Sequence, residues 1–160
     1  MTVTKVTSDK RAMTLTVVAE FDASVAKVWQ LWENPRQLER WWGPPTYPAT
    51  VTKHDFSVGG DVSYHMTGPN GDLSRGWWHI AAIEAPHRIE FANGIADETG
   101  APHPDMPAMV VRVTLSEEAS QRTRMSIESM FPSVEAMETF LSMGMQEGMS
   151  LAVGQIDALL

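Results

Sequence analysis

Between residues 47 and 131 the sequence alternates between apolar and polar residues, and this feature constrains the fold more than any other. Alternation at every second position is the period of a half-buried β-strand. Turn-forming residues interrupt it at Gly59-Gly60 and in the stretch GPNGD, residues 68–72, so neighbouring segments fold back on one another. The pattern predicts six strands: YPATVTKHDF, DVSYHMT, LSRGWWHIAAIE, HRIEFA, MVVRVTLSE and RTRMSIESMF.

A further strand and two short helices are predicted before this region. Residues 13–21 alternate in the same way and form the first strand. Ser24 is placed to cap a helix, and Pro35 stands at the first position of a second one, where its missing amide donor is harmless. The second helix carries Trp41 and Trp42 and ends at the Gly-Pro-Pro stretch that follows them. We interpret residues 1–11 as a polar tail and residues 12–160 as a single domain.

The last part of the chain predicts one long helix. Ser133 can cap it, and an apolar stripe at helical spacing that includes Leu151 runs on to about Leu159. Gly144 and Gly148 lie in this stripe, although glycine inside a helix costs about 1 kcal/mol relative to alanine. Their presence indicates either a close approach of another backbone segment or space that is kept for something else.

Two tryptophan doublets need an explanation, because adjacent side chains point in different directions and cannot enter one core by the same route. In the strand that carries the second doublet, alternation sends Trp78 inward and Trp77 outward. For the first doublet we expect one ring to anchor the second helix, while the other ring borders a cavity.

Composition excludes several classes of function. The chain has 160 residues, no cysteine and a net charge of −8, so thiolate chemistry and disulfides are excluded. Its 12 lysines and arginines form no basic stripe, which argues against nucleic acid as a partner. No apolar run is long enough to predict membrane insertion, and the N-terminus lacks the pattern of a signal peptide, so we expect a cytoplasmic protein.

Few side chains suggest catalysis. Most strand carboxylates are out of phase with the apolar face, whereas Tyr64 is in phase and is a weak candidate for a catalytic group. The five histidines show no metal-ligand spacing, and no glycine-rich phosphate loop is found. We therefore expect no metal site and no cofactor.

The stretches FDASVAKVWQLWENPRQLERWWGP, HDFSVGGDVSYHM and GWWHIAAIEAPHRIEF, together with the final helix, resemble the START-like (SRPBCC) proteins. The resemblance covers about residues 12–159 and is to the branch homologous to the activator of heat-shock protein 90 ATPase. It implies an α+β helix-grip fold: a curved antiparallel sheet of about six to seven strands, two short helices after strand one, and a long C-terminal helix over the sheet. It also implies a cavity between the sheet and that helix.

We therefore predict binding of a small hydrophobic molecule, such as a lipid, a polyketide or an aromatic metabolite. The expected ligand-binding residues are those that the pattern turns toward the cavity: Trp41, Trp42, Tyr64, Met66, Trp78, Phe91, Met109, Ser129, Phe140, Gly144 and Gly148. Two other functions stay open, namely an enzyme of the polyketide cyclase or dehydratase kind that uses Tyr64, and a partner that activates a chaperone ATPase. Residues 93–108 have turn composition and form a candidate lid, and both a monomer and a homodimer are compatible with the sequence.

Overall fold

The computed structural model describes residues 3–160 and consists of one curved, unclosed antiparallel sheet with helices packed on it. The strands follow the order β1-β2-β8-β7-β6-β5-β4-β3 across the sheet. The eight strands are β1 (Val3–Asp9), β2 (Thr14–Phe21), β3 (Ala49–His54), β4 (Asp61–Thr67), β5 (Leu73–Glu84), β6 (Arg88–Ile95), β7 (Met109–Ala119) and β8 (Arg122–Met130). The helices are α1 (Val25–Glu33), α2 (Pro35–Leu38), α3 (Val134–Ser142) and α4 (Met145–Val153), followed by a 3₁₀ turn over Ile156–Leu159.

The predicted α+β helix-grip fold is confirmed, and all seven strands that alternation predicts are present. The sheet has an eighth strand because the interpretation of residues 3–9 as part of a polar tail is wrong: they form β1 and pair with β2. The strand lies at the edge of the sheet, and only Val3 and Val6 pack against the core, so its composition is that of a tail. Residues 1 and 2 lie outside the described part of the chain.

The two short helices begin where the sequence predicts. The Ser24 hydroxyl accepts a hydrogen bond from the Lys27 amide at 3.2 Å. The Asn34 side chain accepts hydrogen bonds from the amides of the first turn of α2, and Pro35 stands at the first helical position. α1 packs against β7 and β8, and its buried residues include Trp29 and Trp32. The prediction that the second helix carries Trp41 and Trp42 is wrong, because α2 ends at Leu38 and both tryptophans lie in the turn after it.

The prediction of one long C-terminal helix is wrong in its continuity. Ser133 caps α3 as expected, with its hydroxyl 3.0 Å from the Ala136 amide. Gly144 then takes a left-handed conformation with φ of 84° and separates α3 from α4. This break changes the face that α4 presents to the sheet, so Leu151, predicted to face inward, is 56% exposed. None of the helices within residues 3–160 is long and apolar enough to cross a bilayer.

Candidate functional site

Six aromatic side chains on α1, the turn after α2 and strands β4 to β6 form one cluster under the helices. Trp42 lies at its centre, with its ring centroid 4.9 Å from that of Trp78 and 5.9 Å from that of Trp32. Trp78 stacks on Phe91 at 4.1 Å. Offset and edge-to-face pairs of this kind each add about 0.5–1.5 kcal/mol beyond the area that they bury. The cluster therefore covers strands β4 to β6, in the half of the sheet that ends at β3, with closely packed aromatic rings.

In the first tryptophan doublet, one ring is an anchor and the other borders a cavity. Trp41 is fully buried and donates from its indole nitrogen to the carbonyl oxygen of Leu31 at 3.0 Å. This bond anchors the turn to α1. Trp42, which is 6% exposed, borders a cavity instead. From the other end of the chain, the Gln155 amide nitrogen donates to the carbonyl of Gly43 at 2.7 Å and so fixes the C-terminal segment to the same turn.

The cavity, of about 240 Å³, lies between the sheet and the junction of α3 and α4. Its walls come from the turn after α2, from β4, β5, β6 and the start of β7, and from both C-terminal helices. Five of the eleven methionines line it: Met66, Met109, Met143, Met145 and Met149. Met143 is 60% exposed, which places it at the rim. Among the lining residues that the structure describes, none is charged.

The structure separates the eleven predicted binding residues into two groups. Seven line the cavity: Trp42, Tyr64, Met66, Met109, Phe140, Gly144 and Gly148. The other four, Trp41, Trp78, Phe91 and Ser129, are at most 1% exposed, belong to the core and do not line the cavity. Alternation identifies the inward face of a strand, but it cannot distinguish an inward side chain that meets a neighbour from one that meets empty space. That these seven residues contact a ligand stays a prediction.

Close backbone approach explains neither of the two glycines of the C-terminal stripe. A Cβ atom added at Gly144 or at Gly148 would meet no heavy atom within 4 Å. Gly148 has ordinary helical geometry, so a side chain there would extend into the cavity that it lines. Of the two alternatives that the sequence leaves open, free space therefore fits Gly148, whereas Gly144 is accounted for by its left-handed conformation.

Asn93 lines the cavity but is not among the eleven predicted binding residues. The sequence places it at the start of a loop over residues 93–108, but β6 continues to Ile95. A signal was present, because Asn93 continues the alternating phase of Ile89 and Phe91. The loop proper begins at Ala96, and none of residues 96–108 lines the cavity, so the interpretation of this segment as a lid is wrong for this cavity.

Tyr64 lies at the polar end of the cavity. It faces Gly76 on the neighbouring strand, and a Cβ atom at Gly76 would overlap its phenol ring, so the ring extends across β5 only because this position carries no side chain. The Asn93 amide nitrogen donates to the Tyr64 hydroxyl oxygen at 3.2 Å and to the Trp77 carbonyl at 3.1 Å. Burial raises the pKa of Tyr64 above its usual value, and this outweighs the lowering effect of the nearby N–H groups of Trp42, Asn93 and Trp78. Tyr64 is therefore a neutral hydroxyl near pH 7.

Two indole N–H groups near this hydroxyl are unpaired. Within residues 3–160, the buried indole nitrogens of Trp42 and Trp78 have no hydrogen-bond partner. They lie close enough to the phenol oxygen to lower the pKa of Tyr64, but they do not reach hydrogen-bond geometry with it. A buried donor left unpaired costs about 1–3 kcal/mol, so this end of the cavity is rich in donors and short of acceptors.

The two largest of the hollows that exceed this cavity in volume, of about 470 and 440 Å³, lie around the loop that follows β6. Both share Arg75, Glu98 and Thr99, whose polar or charged groups favour a solvated surface over a binding cavity for an uncharged molecule. Within residues 3–160, no three histidine, aspartate or glutamate side chains come together as metal ligands.

The chain is similar to a known protein family and to several solved structures. The family model of the Activator of Hsp90 ATPase homolog 1-like protein matches residues 22–160. A solved protein from Arthrobacter aurescens is 52% identical, with a TM-score of 0.94 over 98% of this chain and 91% of that chain. A protein from Mycobacterium smegmatis is 46% identical, with a TM-score of 0.91 over 99% of this chain and 96% of that chain.

The fold also extends to distant sequences. A protein from Silicibacter pomeroyi is 16% identical and superposes with a TM-score of 0.72, over 91% of this chain and 95% of that chain. At this identity the similarity shows the fold alone. No curated protein matches the chain.

Proposed function

We propose that this chain, which belongs to the family of Activator of Hsp90 ATPase homolog 1-like proteins, binds a small and mainly apolar molecule in the cavity between its sheet and the α3–α4 junction. Membership in the family supports a ligand-binding fold. The observation that carries the proposal is the lining itself, which combines five methionines with aromatic rings and contains no charged residue among those described.

The size and chemistry of the cavity limit the ligand. A cavity of about 150 Å³ is known to hold benzene, so about 240 Å³ suits a molecule of one or two rings. A long lipid would have to extend past the rim at Met143. Methionine side chains are flexible and polarizable, so they can adapt to several shapes of ligand. A charged ligand would lie without a partner, which is costly in an apolar site.

Naphthalene is a suitable probe, because it is apolar and has two rings. We expect isothermal titration calorimetry to detect its binding and the melting temperature to rise with its concentration, since a ligand that binds only the folded state stabilises that state. Gly148→Leu fills the cavity and should weaken the binding by about tenfold or more. Glu147→Leu introduces the same side chain at the neighbouring exposed position of α4 and serves as the control.

Two results of this experiment would contradict the proposal. The first is that naphthalene does not bind the unmodified protein. The second is that Gly148→Leu and Glu147→Leu bind it equally well, which would place the binding outside the cavity.

The two other functions considered from the sequence stay predictions. A cyclase or dehydratase would need a proton acceptor, and the cavity lining as described holds neither a carboxylate nor an imidazole. Activation of a chaperone is suggested by the family description alone. A pull-down with the chaperone, in the presence and absence of ATP, tests it directly.

A further inference from the structure

The polar end of the cavity has a fixed direction of hydrogen bonding. The Asn93 amide nitrogen donates to the backbone carbonyl of Trp77, which can only accept, and this bond fixes the orientation of the amide. The second hydrogen of the same nitrogen points at the Tyr64 oxygen. The phenol oxygen is therefore an acceptor toward Asn93, and its own proton has to point elsewhere.

The Tyr64 proton is free for a ligand. Within residues 3–160 the Tyr64 hydroxyl makes one hydrogen bond, and in that bond it is the acceptor. Tyr64, Asn93 and Trp42 all line the cavity, so the group that they form belongs to the cavity wall. Hydrogen bonds that act in series polarise one another, so the bond from Asn93 makes the phenol a better donor.

The neighbouring indoles select against a ligand that donates at this point. Trp42 is 6% exposed and Trp78 is fully buried, and the indole nitrogen of each has no acceptor within residues 3–160. Both N–H groups lower the pKa of Tyr64 and so stabilise negative charge at the phenol oxygen, which disfavours an O–H or N–H of a ligand beside it. An acceptor atom would instead meet one hydroxyl donor in a field that favours negative partial charge.

We infer that the molecule bound in this cavity presents a neutral carbonyl oxygen to the Tyr64 hydroxyl. A carboxylate does not fit, because no lysine or arginine is among the described lining residues. An aromatic or alicyclic ketone combines an apolar body with such an oxygen. The inference rests on the proposed function, since it names the class of ligand for the same cavity.

Acetophenone and α-methylstyrene form a matched pair of probes, because they have nearly the same shape and differ in a carbonyl oxygen against a methylene group. Calorimetry on the full chain gives the dissociation constants of both. We expect Tyr64→Phe to weaken acetophenone relative to α-methylstyrene by about three- to tenfold, the effect of one neutral hydrogen bond. Tyr47→Phe is the control, since the other tyrosine of the chain donates to Asp72 away from the cavity.

A second measurement needs no variant. The carbonyl stretching band of bound acetophenone should lie at lower frequency than in an apolar solvent, because a hydrogen bond to the oxygen weakens the double bond. This measurement stands even where Tyr64→Phe does not fold. Benzoate at pH 7 should bind more weakly than acetophenone.

The possible failures can be distinguished. If neither neutral probe binds, the proposed function is wrong and the inference falls with it. If both bind but Tyr64→Phe changes them equally, or the carbonyl band does not shift, the cavity binds apolar molecules and the inference alone is overturned. Tighter binding of benzoate than of acetophenone would also overturn it.

Discussion

Gly76 determines where the Tyr64 ring lies. Because a Cβ atom at this position would overlap the phenol ring and its oxygen, we expect Gly76→Ala to displace Tyr64 and to break its hydrogen bond with Asn93. Overpacking of this kind costs about 1–3 kcal/mol, which urea unfolding would measure, and the acetophenone affinity should fall as well.

Gly60→Ala is the matched control for this prediction. Gly60 lies directly before β4 and does not line the cavity, and its Cβ atom would overlap the backbone carbonyl oxygen of Asp55. It should destabilise the protein to a similar extent and leave the acetophenone affinity unchanged. Equal losses of affinity in both variants would mean that the position of Tyr64 is not set by Gly76.

His54 links stability to pH. Its ring nitrogen Nε2 lies 3.1 Å from the Trp32 carbonyl, and burial lowers the pKa of the imidazole below its usual value. As the pH falls below about 6.5, the unfolded chain takes up a proton that the folded chain does not, so the free energy of unfolding decreases. His54→Gln keeps a donor for the carbonyl but does not titrate. Between pH 7 and pH 5 its unfolding free energy should therefore fall less than that of the unmodified protein.

The other four histidines are common to both proteins, so the difference between the two pH profiles isolates His54. Parallel profiles from pH 7 to pH 5 would show that the burial of this ring has no effect on stability.

The sequence predicts whether a side chain faces inward where this depends only on the residue's position in its own strand. Alternation places Trp78 and Tyr64 inward, and both lie inward. It could not show that Tyr64 reaches Asn93 two strands away, because this contact depends on the missing side chain at Gly76 on the strand between them. Pairing of strands is a property of register, which one strand alone does not specify.

At the level of elements, the two glycines of the C-terminal segment have opposite effects. Gly144 has a left-handed conformation, which costs a residue with a side chain about 1–2 kcal/mol, so Gly144→Ala should destabilise the protein. Gly148 is helical with free space around its Cα, so Gly148→Ala should stabilise it by up to about 1 kcal/mol. Chemical unfolding of both variants measures the two signs. The same sign for both would mean that the break between α3 and α4 is not fixed by Gly144.

The break between α3 and α4 shows that helical periodicity does not indicate where a helix ends. The apolar stripe continues from Met137 through Met145 at helical spacing, so the sequence predicts one helix. A single left-handed residue is enough to end α3, and glycine within an apolar stripe is compatible both with a helix interior and with a helix end. The caps at Ser24 and Ser133 were predictable because a hydroxyl next to a free amide is a local interaction.

At the level of the whole molecule, the succession of strands and helices along the chain followed from the resemblance and from the turn signals, whereas β1 did not. Residues 3–9 have few apolar side chains, and their place at the sheet edge depends on backbone pairing with β2. Backbone hydrogen bonds leave no mark in composition. Only Val3 and Val6 contact the core, and a pattern of two half-buried residues is too weak to distinguish a strand from a tail.

Removal of residues 1–9 tests whether β1 supports the sheet. Without it the backbone edge of β2 is exposed, including Val18, which pairs with Lys5 and is now 6% exposed. We expect the shortened chain to fold with a free energy of unfolding lower by about 1–3 kcal/mol, from the apolar area that is lost. It should also self-associate more at high concentration, because an uncovered edge strand pairs with other chains. Urea unfolding and analytical ultracentrifugation measure the two effects.

Val6→Ser in the full chain is the control for this prediction. It removes an apolar contact but keeps the backbone pairing, so it should lower stability without promoting association. If the shortened chain matches the full chain in both measurements, residues 3–9 pair with β2 without contributing to stability, and the prediction that β1 supports the sheet is wrong.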